Sequence, residues 1–214
     1  MNAAASPRRR LARIASAGRL LLHEPWLQKS GFVLFRRPCA QPGTITPLPA
    51  YAQYELEIAE SAGQVETWRN DGRDFVDGRV YVDIRQNFAP GVRFYCWFHA
   101  GTLVHWSRMT TDVRDANFKN LFAPDAEGRG VYLGPCYTNP AYRGQHIYGF
   151  TLEKICEDSA AAGATEAYIY TRPENPKSFS GITRAGFEHF ATVTQRRFLI
   201  WSSWSRTDAP TDNT

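Results

Sequence analysis

The sequence predicts an α/β (α+β) protein with a mixed, mainly antiparallel central sheet flanked by helices. Residues 93–98 are rich in aromatic side chains, 99–102 predict a turn and 103–109 predict a returning strand, as in an antiparallel hairpin. Residues 131–170 show a strand, a helix and a second strand in succession, and 187–201 predict a closing antiparallel pair. Hairpins combined with a strand–helix–strand unit are typical of a mixed sheet with helices packed on it.

Proline and glycine residues mark the ends of these elements. Gly163 and Gly186 are suited to end two of the helices, because helices commonly stop at a glycine. The elements predicted in order are strands at 31–35 and 51–60, helices at 64–70 and 78–88, strands at 93–98 and 103–109, one helical turn within 111–130, a strand at 131–138, a helix at 144–162, a strand at 165–170, a helix at 176–185, and strands at 187–193 and 195–201.

The charge is unevenly distributed along the 214 residues. The net charge is +4, yet residues 1–38 hold eight basic residues against the single acid Glu24. A helix predicted over 7–22 would carry apolar residues near one face and arginines mostly elsewhere, which suits an anionic membrane surface; a solvated basic tail is the alternative. The rest of the chain is mildly acidic, so no nucleic-acid partner is expected.

We therefore divide the chain into a basic segment (1–30), one domain (31–201) and a disordered tail (202–214). Within the domain, 31–110 and 111–201 are expected to form two halves. The four cysteines form no C-x-x-C pair, and no apolar run is long enough to cross a membrane. These features favour a cytoplasmic protein, in contact with a membrane surface at most, that is a monomer or a homodimer.

The stretch from Val131 to Gly149, VYLGPCYTNPAYRGQHIYG, organises the chain. It predicts a strand, a corner closed by Pro140 and the start of a helix. A helix that begins just after a strand points its first free amides and its positive dipole end at the strand's carboxyl end, which suits a phosphate. An ordinary strand-to-helix connection is the alternative on this stretch alone.

Two motifs in the second half resemble the GNAT N-acetyltransferase superfamily. TNPAYRGQHIYG is similar to that family's corner, where backbone amides hold the pyrophosphate of acetyl-CoA. Asn175 followed eleven residues later by Gly186-Phe187 resembles the family's last helix on the acyl-CoA side. The resemblance covers roughly 92–201 and implies a GNAT-like fold and the use of acetyl-CoA as the acyl donor, with no metal expected.

The resemblance also implies a set of residues that bind acyl-CoA. Gly134-Pro135 would supply a bulge that exposes strand amides to the thioester. The cofactor-binding residues implied are Cys136, Tyr137 and Thr138 along the pantetheine and thioester, Arg143, Gly144, Gln145, His146, Ile147, Tyr148 and Gly149 at the pyrophosphate, and Asn175 and Ser178 beside the pantetheine arm.

The sequence departs from the family's pattern at three positions. His146 and Tyr148 stand where small residues let phosphates approach the backbone, and Ile182 stands where many members have a tyrosine that protonates the leaving thiolate. Tyr137 and Tyr170 are the substitutes for that acid. His105 is the preferred general base, because its strand should lie beside the organising strand; His99, Asp125 and Glu127 are further candidates.

The leading functional hypothesis is transfer of an acetyl or other acyl group from acyl-CoA to a small-molecule amine by direct attack. An amino sugar or a surface-polysaccharide precursor is one expected acceptor, and an amino acid, peptide or polyamine is another. The alternative is an acyl-CoA sensor of the same fold without turnover, which the bulky corner residues and the missing tyrosine favour.

Overall fold

The computed structural model describes residues 27–41, 43, 52–115, 117–122, 129–198 and 201–210. The helix predicted over 7–22 and the candidate bases Asp125 and Glu127 lie outside these ranges. Among the described residues, no helix has the length and apolar character needed to cross a bilayer.

Eight strands and five α-helices make up the described part of the chain. The strands are β1 (Leu27–Pro38), β2 (Tyr54–Ala59), β3 (Val92–His99), β4 (Thr102–Thr110), β5 (Gly130–Thr138), β6 (Glu166–Thr171), β7 (Glu188–Phe198) and β8 (Trp201–Asp208). The α-helices are α1 (Ala62–Asn70), α2 (Gly78–Gln86), α3 (Lys119–Phe122), α4 (Ile147–Ala161) and α5 (Pro176–Arg184), and a 3₁₀ turn spans Pro140–Tyr142.

The strands form one sheet in the order β2-β3-β4-β5-β6-β1-β7-β8. Every neighbouring pair is antiparallel except β5 and β6, which run parallel because α4 crosses over between them. The predicted mixed, mainly antiparallel sheet flanked by helices is therefore confirmed, as is the predicted adjacency of β4 and β5.

Apolar clusters cover both faces of the sheet. On one face, Leu152 and Ile155 of α4 and Ile182 of α5 pack on Leu133 and Ile169 of the central strands. On the other face, α1 and α2 cover β3 and β4, while α3 and its neighbours cover the strands around β6. This two-sided burial holds the carboxyl ends of β5 and β6 in place beneath α4 and α5.

The predicted closing strands are wrong in their boundaries. Residues 187–193 and 195–201 do not pair with each other, because β7 continues through Thr194 to Phe198. Thr194 is β-branched and lacks the backbone freedom of a turn residue, so it extends the strand. Its partner β8 begins at Trp201, which pairs with Phe198.

The predicted disordered tail and the first domain boundary also need correction. Residues 202–208 belong to β8, where Trp204 stacks on Phe32 with ring centroids 6.1 Å apart. Strand β1 begins at Leu27, inside the segment 1–30 that was expected to precede the domain. Serines and other polar residues make 202–208 look like a polar tail in sequence, although β8 pairs with β7 along its whole length.

The helix predicted to begin at Gly144 begins at Ile147 instead. Gly144 and His146 adopt φ angles of +82° and +60°, which lie in the left-handed region and cannot belong to a right-handed helix. The corner is therefore longer than predicted by about one helical turn. The predicted end of this helix at Gly163, with φ +86°, is confirmed.

Candidate active site

The parallel strands β5 and β6 separate before β5 ends. They pair from Gly130↔Glu166 to Leu133↔Ile169, and beyond Leu133 strand β5 pairs with β4 alone. The register of β4 against β5 shifts at this point, opposite Gly134-Pro135. The bulge predicted at Gly134-Pro135 is thus present, and it opens a gap between the carboxyl ends of two central strands.

Backbone amides of β5 face this gap. Asn139 N donates to Val104 O of β4 at 2.9 Å, and the pairing register then directs the amide of Tyr137 to β4 as well. Because amides alternate in direction along a strand, those of Cys136 and Thr138 point away from β4, toward the side that β6 has left. These two N–H groups can stabilise a negative oxygen placed in the gap.

The corner after β5 is folded back on itself. Asn139 Oδ1 accepts from Ala141 N at 3.1 Å and caps the 3₁₀ turn. Arg143 Nε donates to Thr138 O at 3.1 Å, so this side chain stays against the end of β5. An ideal Cβ at Gly144 would meet no heavy atom within 4 Å, which means that the glycine is required by its φ angle and not by crowding.

The first turn of α4 presents amides that the helix itself does not use. The first backbone bond runs from Phe150 N to His146 O, and His146 makes no side-chain cap. The amides of Ile147, Tyr148 and Gly149 precede it, at the positive end of the helix dipole. Arg184 Nη1 of α5 donates to His146 Nδ1 at 2.9 Å, which places a guanidinium beside the same terminus.

The Tyr148 ring points away from solvent, under α5. An ideal Cβ at Gly181 would lie 2.7 Å from Tyr148 Cδ1, so the ring occupies the space that any larger residue at 181 would need. The Tyr148 hydroxyl lies 3.4 Å from Ser178 Oγ. Desolvation raises the pKa of Tyr148, and the phenol therefore stays protonated at neutral pH. The side chain does not block the backbone amides of α4.

The gap, the corner and the two helices enclose a cleft of about 1010 Å³. Helix α5 supplies the opposite wall, where Asn175 Oδ1 accepts from Ser178 N at 3.1 Å and caps the helix. None of the described residues that line the cleft is acidic. The cationic side chains that line it are Arg143, Arg172, Lys177 and Arg184.

His105 lies beneath the end of β5 and is fully buried. Its Nδ1 is 2.7 Å from Thr138 Oγ1, and its Nε2 is 2.8 Å from Ser107 Oγ. Burial lowers the pKa of His105 to about 3, so the imidazole is neutral at physiological pH. A neutral imidazole between two hydroxyls accepts from one and donates to the other. His105 borders the cleft through Thr138 and through the Tyr148 ring, whose centroid is 6.0 Å from that of the imidazole.

The structure brings together ten of the twelve residues predicted to bind acyl-CoA. Those that line the cleft are Cys136, Thr138, Arg143, Gly144, His146, Ile147, Tyr148, Gly149, Asn175 and Ser178. Tyr137 and Gln145 do not line it. Tyr137 packs on the opposite face, against the cluster beneath α1 and α2, and Gln145 Oε1 accepts from the hydroxyl of Tyr54.

Sequence reasoning missed the cations of the far wall. Lys177 and Arg184 are seven residues apart, which is close to two helical turns, so both lie on one face of α5. That spacing was available in the sequence. Among the other predicted residues, Ile182 is core, and His99 Nδ1 lies 3.3 Å from the Tyr142 hydroxyl. Within the described ranges, no three His, Cys, Asp or Glu side chains gather as a metal site requires.

No protein-family model matches this sequence, and no curated protein matches it. Solved structures do match the fold. A Drosophila protein superposes with a TM-score of 0.53 at 11% identity, over 88% of this chain and 57% of its own. A GCN5-related N-acetyltransferase from Kribbella flavida gives 0.51 at 15% identity, over 86% of this chain and 63% of its own.

The chain thus has the GNAT fold, and the predicted resemblance is confirmed at that level. This chain itself shows three features of the site: β5 and β6 separate, β5 has a bulge at Gly134-Pro135, and α4 starts without a side-chain cap. This chain spans less than two thirds of the length of either matched protein, so what those whole proteins do is not carried over with the fold.

Proposed function

We propose that this protein transfers an acetyl or other acyl group from acyl-CoA to a small-molecule amine by direct attack. The observation that supports the proposal most strongly is the composition of the cleft. It joins two strand amides that point into the gap, an uncapped helix N-terminus and four cationic side chains, without an acid among its described lining. A thioester carried on a polyanionic nucleotide needs these three features together.

Acyl-CoA is a substrate in this proposal, and the residues present fit its parts. The pyrophosphate would lie at the amides of Ile147, Tyr148 and Gly149, with Arg184 close by. The pantetheine arm would follow β5 across the cleft, opposite Asn175 and Ser178. Gly144, with no side chain and open space around it, leaves the corner accessible to the phosphates.

The thioester carbonyl would point toward the amides of Cys136 and Thr138. Attack by the neutral amine forms a C–N bond and puts negative charge on the carbonyl oxygen, which these amides stabilise. Collapse of the intermediate breaks the C–S bond and releases a thiolate. One proton must leave the nitrogen and one must reach the sulfur.

Tyr148 and His105 are the residues proposed to assist these proton transfers, Tyr148 as the acid and His105 as a positioning residue. The Tyr148 phenol lines the cleft, so it can give its proton to the thiolate and recover one from water. His105 cannot act as a free base, because it is buried and its pKa is low. Its proposed role is that of a positioning residue that orients the Thr138 hydroxyl, and the proton of the amine leaves to water. The role predicted for Tyr137, protonation of the leaving thiolate, stays a prediction.

The acceptor, the cellular setting and the domain division are further parts of the proposal. An amino sugar or a surface-polysaccharide precursor is the proposed acceptor, bound mainly by residues 31–110, while 111–201 bind acyl-CoA. The protein is proposed to be cytoplasmic, a monomer or homodimer that binds no nucleic acid, with the basic segment 1–30 contacting a membrane surface. Residues 1–26 of that segment lie outside the described residues.

One observation favours the second candidate function, a sensor that binds acyl-CoA without turnover. Ile182 occupies the position where the resemblance implies a thiolate-protonating tyrosine, and it is fully buried in the core. If Tyr148 does not replace that acid, the protein would bind acyl-CoA without catalysing acyl transfer. Calorimetry with acetyl-CoA, alongside CoA release over a panel of amino sugars, amino acids and polyamines, distinguishes the two functions.

A pair of matched glycine variants tests the site itself. Gly144 and Gly72 both have positive φ angles, and neither has a heavy atom within 4 Å of an ideal Cβ. Gly144 lines the cleft, whereas Gly72 follows α1 and does not. We expect Gly144→Glu to weaken acetyl-CoA binding by about a hundredfold, since it places a like charge near the phosphates. Gly72→Glu should leave the Kd unchanged.

Three results distinguish among these possibilities. Equal loss of affinity in both variants would mean that the strain of the substitution matters and the cleft does not bind acyl-CoA. Wild-type protein that binds acetyl-CoA but releases no CoA with any amine would favour the sensor. Failure of the wild type to bind acetyl-CoA or CoA would refute both functions.

A further inference from the structure

Three strands extend beyond the rest of the sheet at one end. Strand β6 pairs with β1 only from Val33 onward. Residues 27–32 of β1 therefore extend past β6 together with 193–198 of β7 and 201–206 of β8, and we call this three-stranded extension the flap. An ideal Cβ at Gly31 would lie 3.1 Å from Pro173, which follows the cleft residue Arg172. The flap therefore projects from the same end of the sheet at which the cleft opens.

The end of this flap exposes large aromatic side chains. Phe198 is 53% exposed, Trp201 is 74% exposed and Trp204 is 37% exposed. Phe198 and Trp201 are directly opposite each other in the β7–β8 ladder, so they share one face. The residues that follow Phe198 in the sequence are Leu199 and Ile200, which are apolar, whereas hairpin connections favour glycine and asparagine.

Cationic side chains lie directly behind these aromatics. Arg196 precedes Phe198 by two residues and so shares its face, about 7 Å back along the strand. Lys29 is opposite Arg196 in the β1–β7 ladder, and both are exposed. Like charges directly opposite each other destabilise a sheet. The pair therefore costs the fold stability, and an anionic partner at this surface would offset that cost.

We propose that this flap end, formed by Lys29, Arg196, Arg197, Phe198 and Trp201, docks on an anionic lipid bilayer. Aromatic side chains enter the headgroup boundary and cations just behind them meet the lipid phosphates, which is how amphipathic elements bind such surfaces. None of the described residues 27–30, 195–198 and 201–204 is acidic.

The chain that precedes β1 supports the choice of a bilayer. Leu27 pairs with Phe198, so residues 1–26 join the fold at the flap end. Those 26 residues carry five arginines and one acid, Glu24. Stable membrane attachment generally needs two weak determinants together. Here the chain connects the basic segment to β1 at Leu27, directly opposite Phe198. Docking does not depend on acyl transfer, but it would hold the mouth of the cleft close to the bilayer.

The test is flotation of the full-length protein with vesicles of phosphatidylcholine, with and without phosphatidylglycerol. We expect binding only to the vesicles that contain phosphatidylglycerol. The double variant Phe198→Ser/Trp201→Ser should lower the partition coefficient by about tenfold or more. Val82→Ser is its control, because Val82 is 41% exposed on α2, outside the flap.

Charge reversal gives an independent test of vesicle binding. Arg196→Glu should weaken vesicle binding by about fivefold or more, and Arg79→Glu, an exposed arginine of α2 with the same change in net charge, should weaken it much less. Unchanged acetyl-CoA affinity and thermal unfolding in each variant show that the fold is intact. Quenching of Trp201 by brominated lipids, lost in Trp201→Ser, places the aromatic end in the bilayer.

Several results would overturn the proposal. These are equal binding of wild type and the Phe198→Ser/Trp201→Ser variant to anionic vesicles, and equal effects of the two arginine reversals. Absence of vesicle binding would also refute it, whether the flap variants then dissociate a dimer, which would assign the surface to a second copy, or abolish binding to an oligonucleotide, which would assign it to nucleic acid.

Discussion

Lowering the pH should destabilise the protein through His105. The native imidazole is enclosed between Thr138 and Ser107 with no exposed surface, and its pKa is about 3 against an ordinary value of 6.5. Below pH 6.5 the unfolded chain binds a proton at this histidine and the native protein does not. The stabilisation is therefore complete above pH 6.5 and is lost as the pH falls toward 3.

The size of the effect follows from the same difference. One proton bound only by the unfolded state lowers the free energy of unfolding by ~1.4 kcal/mol for each pH unit. Between pH 6.5 and pH 4 the loss is about 3 kcal/mol, a large part of the 5–15 kcal/mol that typically stabilises a domain. His105 is thus expected to contribute strongly to acid unfolding.

Urea unfolding from pH 7 to pH 4 measures this directly. In wild type the free energy of unfolding should fall steeply below pH 6.5, and in His105→Gln the fall should be shallower by ~1.4 kcal/mol per pH unit. Carboxylates titrate in both proteins, so the difference isolates the imidazole. Parallel curves would refute the reasoning. If His105→Gln does not fold, the NMR resonances of the His105 imidazole in the wild type provide the test, since they should not titrate between pH 8 and pH 5.

Further predictions concern the cleft. Tyr148→Phe should lower kcat by about a hundredfold with the acetyl-CoA Kd unchanged; an unchanged kcat would remove Tyr148 from the mechanism. Gly181→Ala should destabilise the protein by about 1–3 kcal/mol in urea unfolding, because the new Cβ meets the Tyr148 ring. Gly78→Ala, where nothing lies within 4 Å, is its neutral control. Added KCl should raise the acetyl-CoA Kd, because the cleft cations are exposed, and a salt-independent Kd would contradict their role.

Much of the ligand-side half could be predicted from the sequence because local signals determine it. Pro140 ends a run of strand-forming residues, and the first turn of a helix after such a corner must present free amides. Asn175 before Pro176 predicts a helix start, and the structure shows Asn175 Oδ1 capping α5. Each of these features depends on residues close together in the chain, so a single sequence contains enough information to find them.

The parts that failed depend on tertiary contacts. Strand β8 has little strand character of its own, and its position depends on pairing with β7 and on the stacking of Trp204 on Phe32. The start of α4 moved to Ile147 because two residues of the corner take left-handed angles. His105 looked like a general base because its strand lies in the right place, but its burial under β5 is a property of the folded sheet.

The ring of Tyr148 is accommodated by a glycine in the facing helix α5. A tyrosine at position 148 would crowd the phosphates if its ring turned outward. Here the ring turns inward, and the space it needs exists because residue 181 of α5 has no side chain. The next residue, Ile182, faces the core beneath, so the turn of α5 that would present a tyrosine hydroxyl instead receives one from α4. Gly181 therefore links the two departures through packing, and the Tyr148 phenol lines the cleft together with Tyr142 and Tyr170.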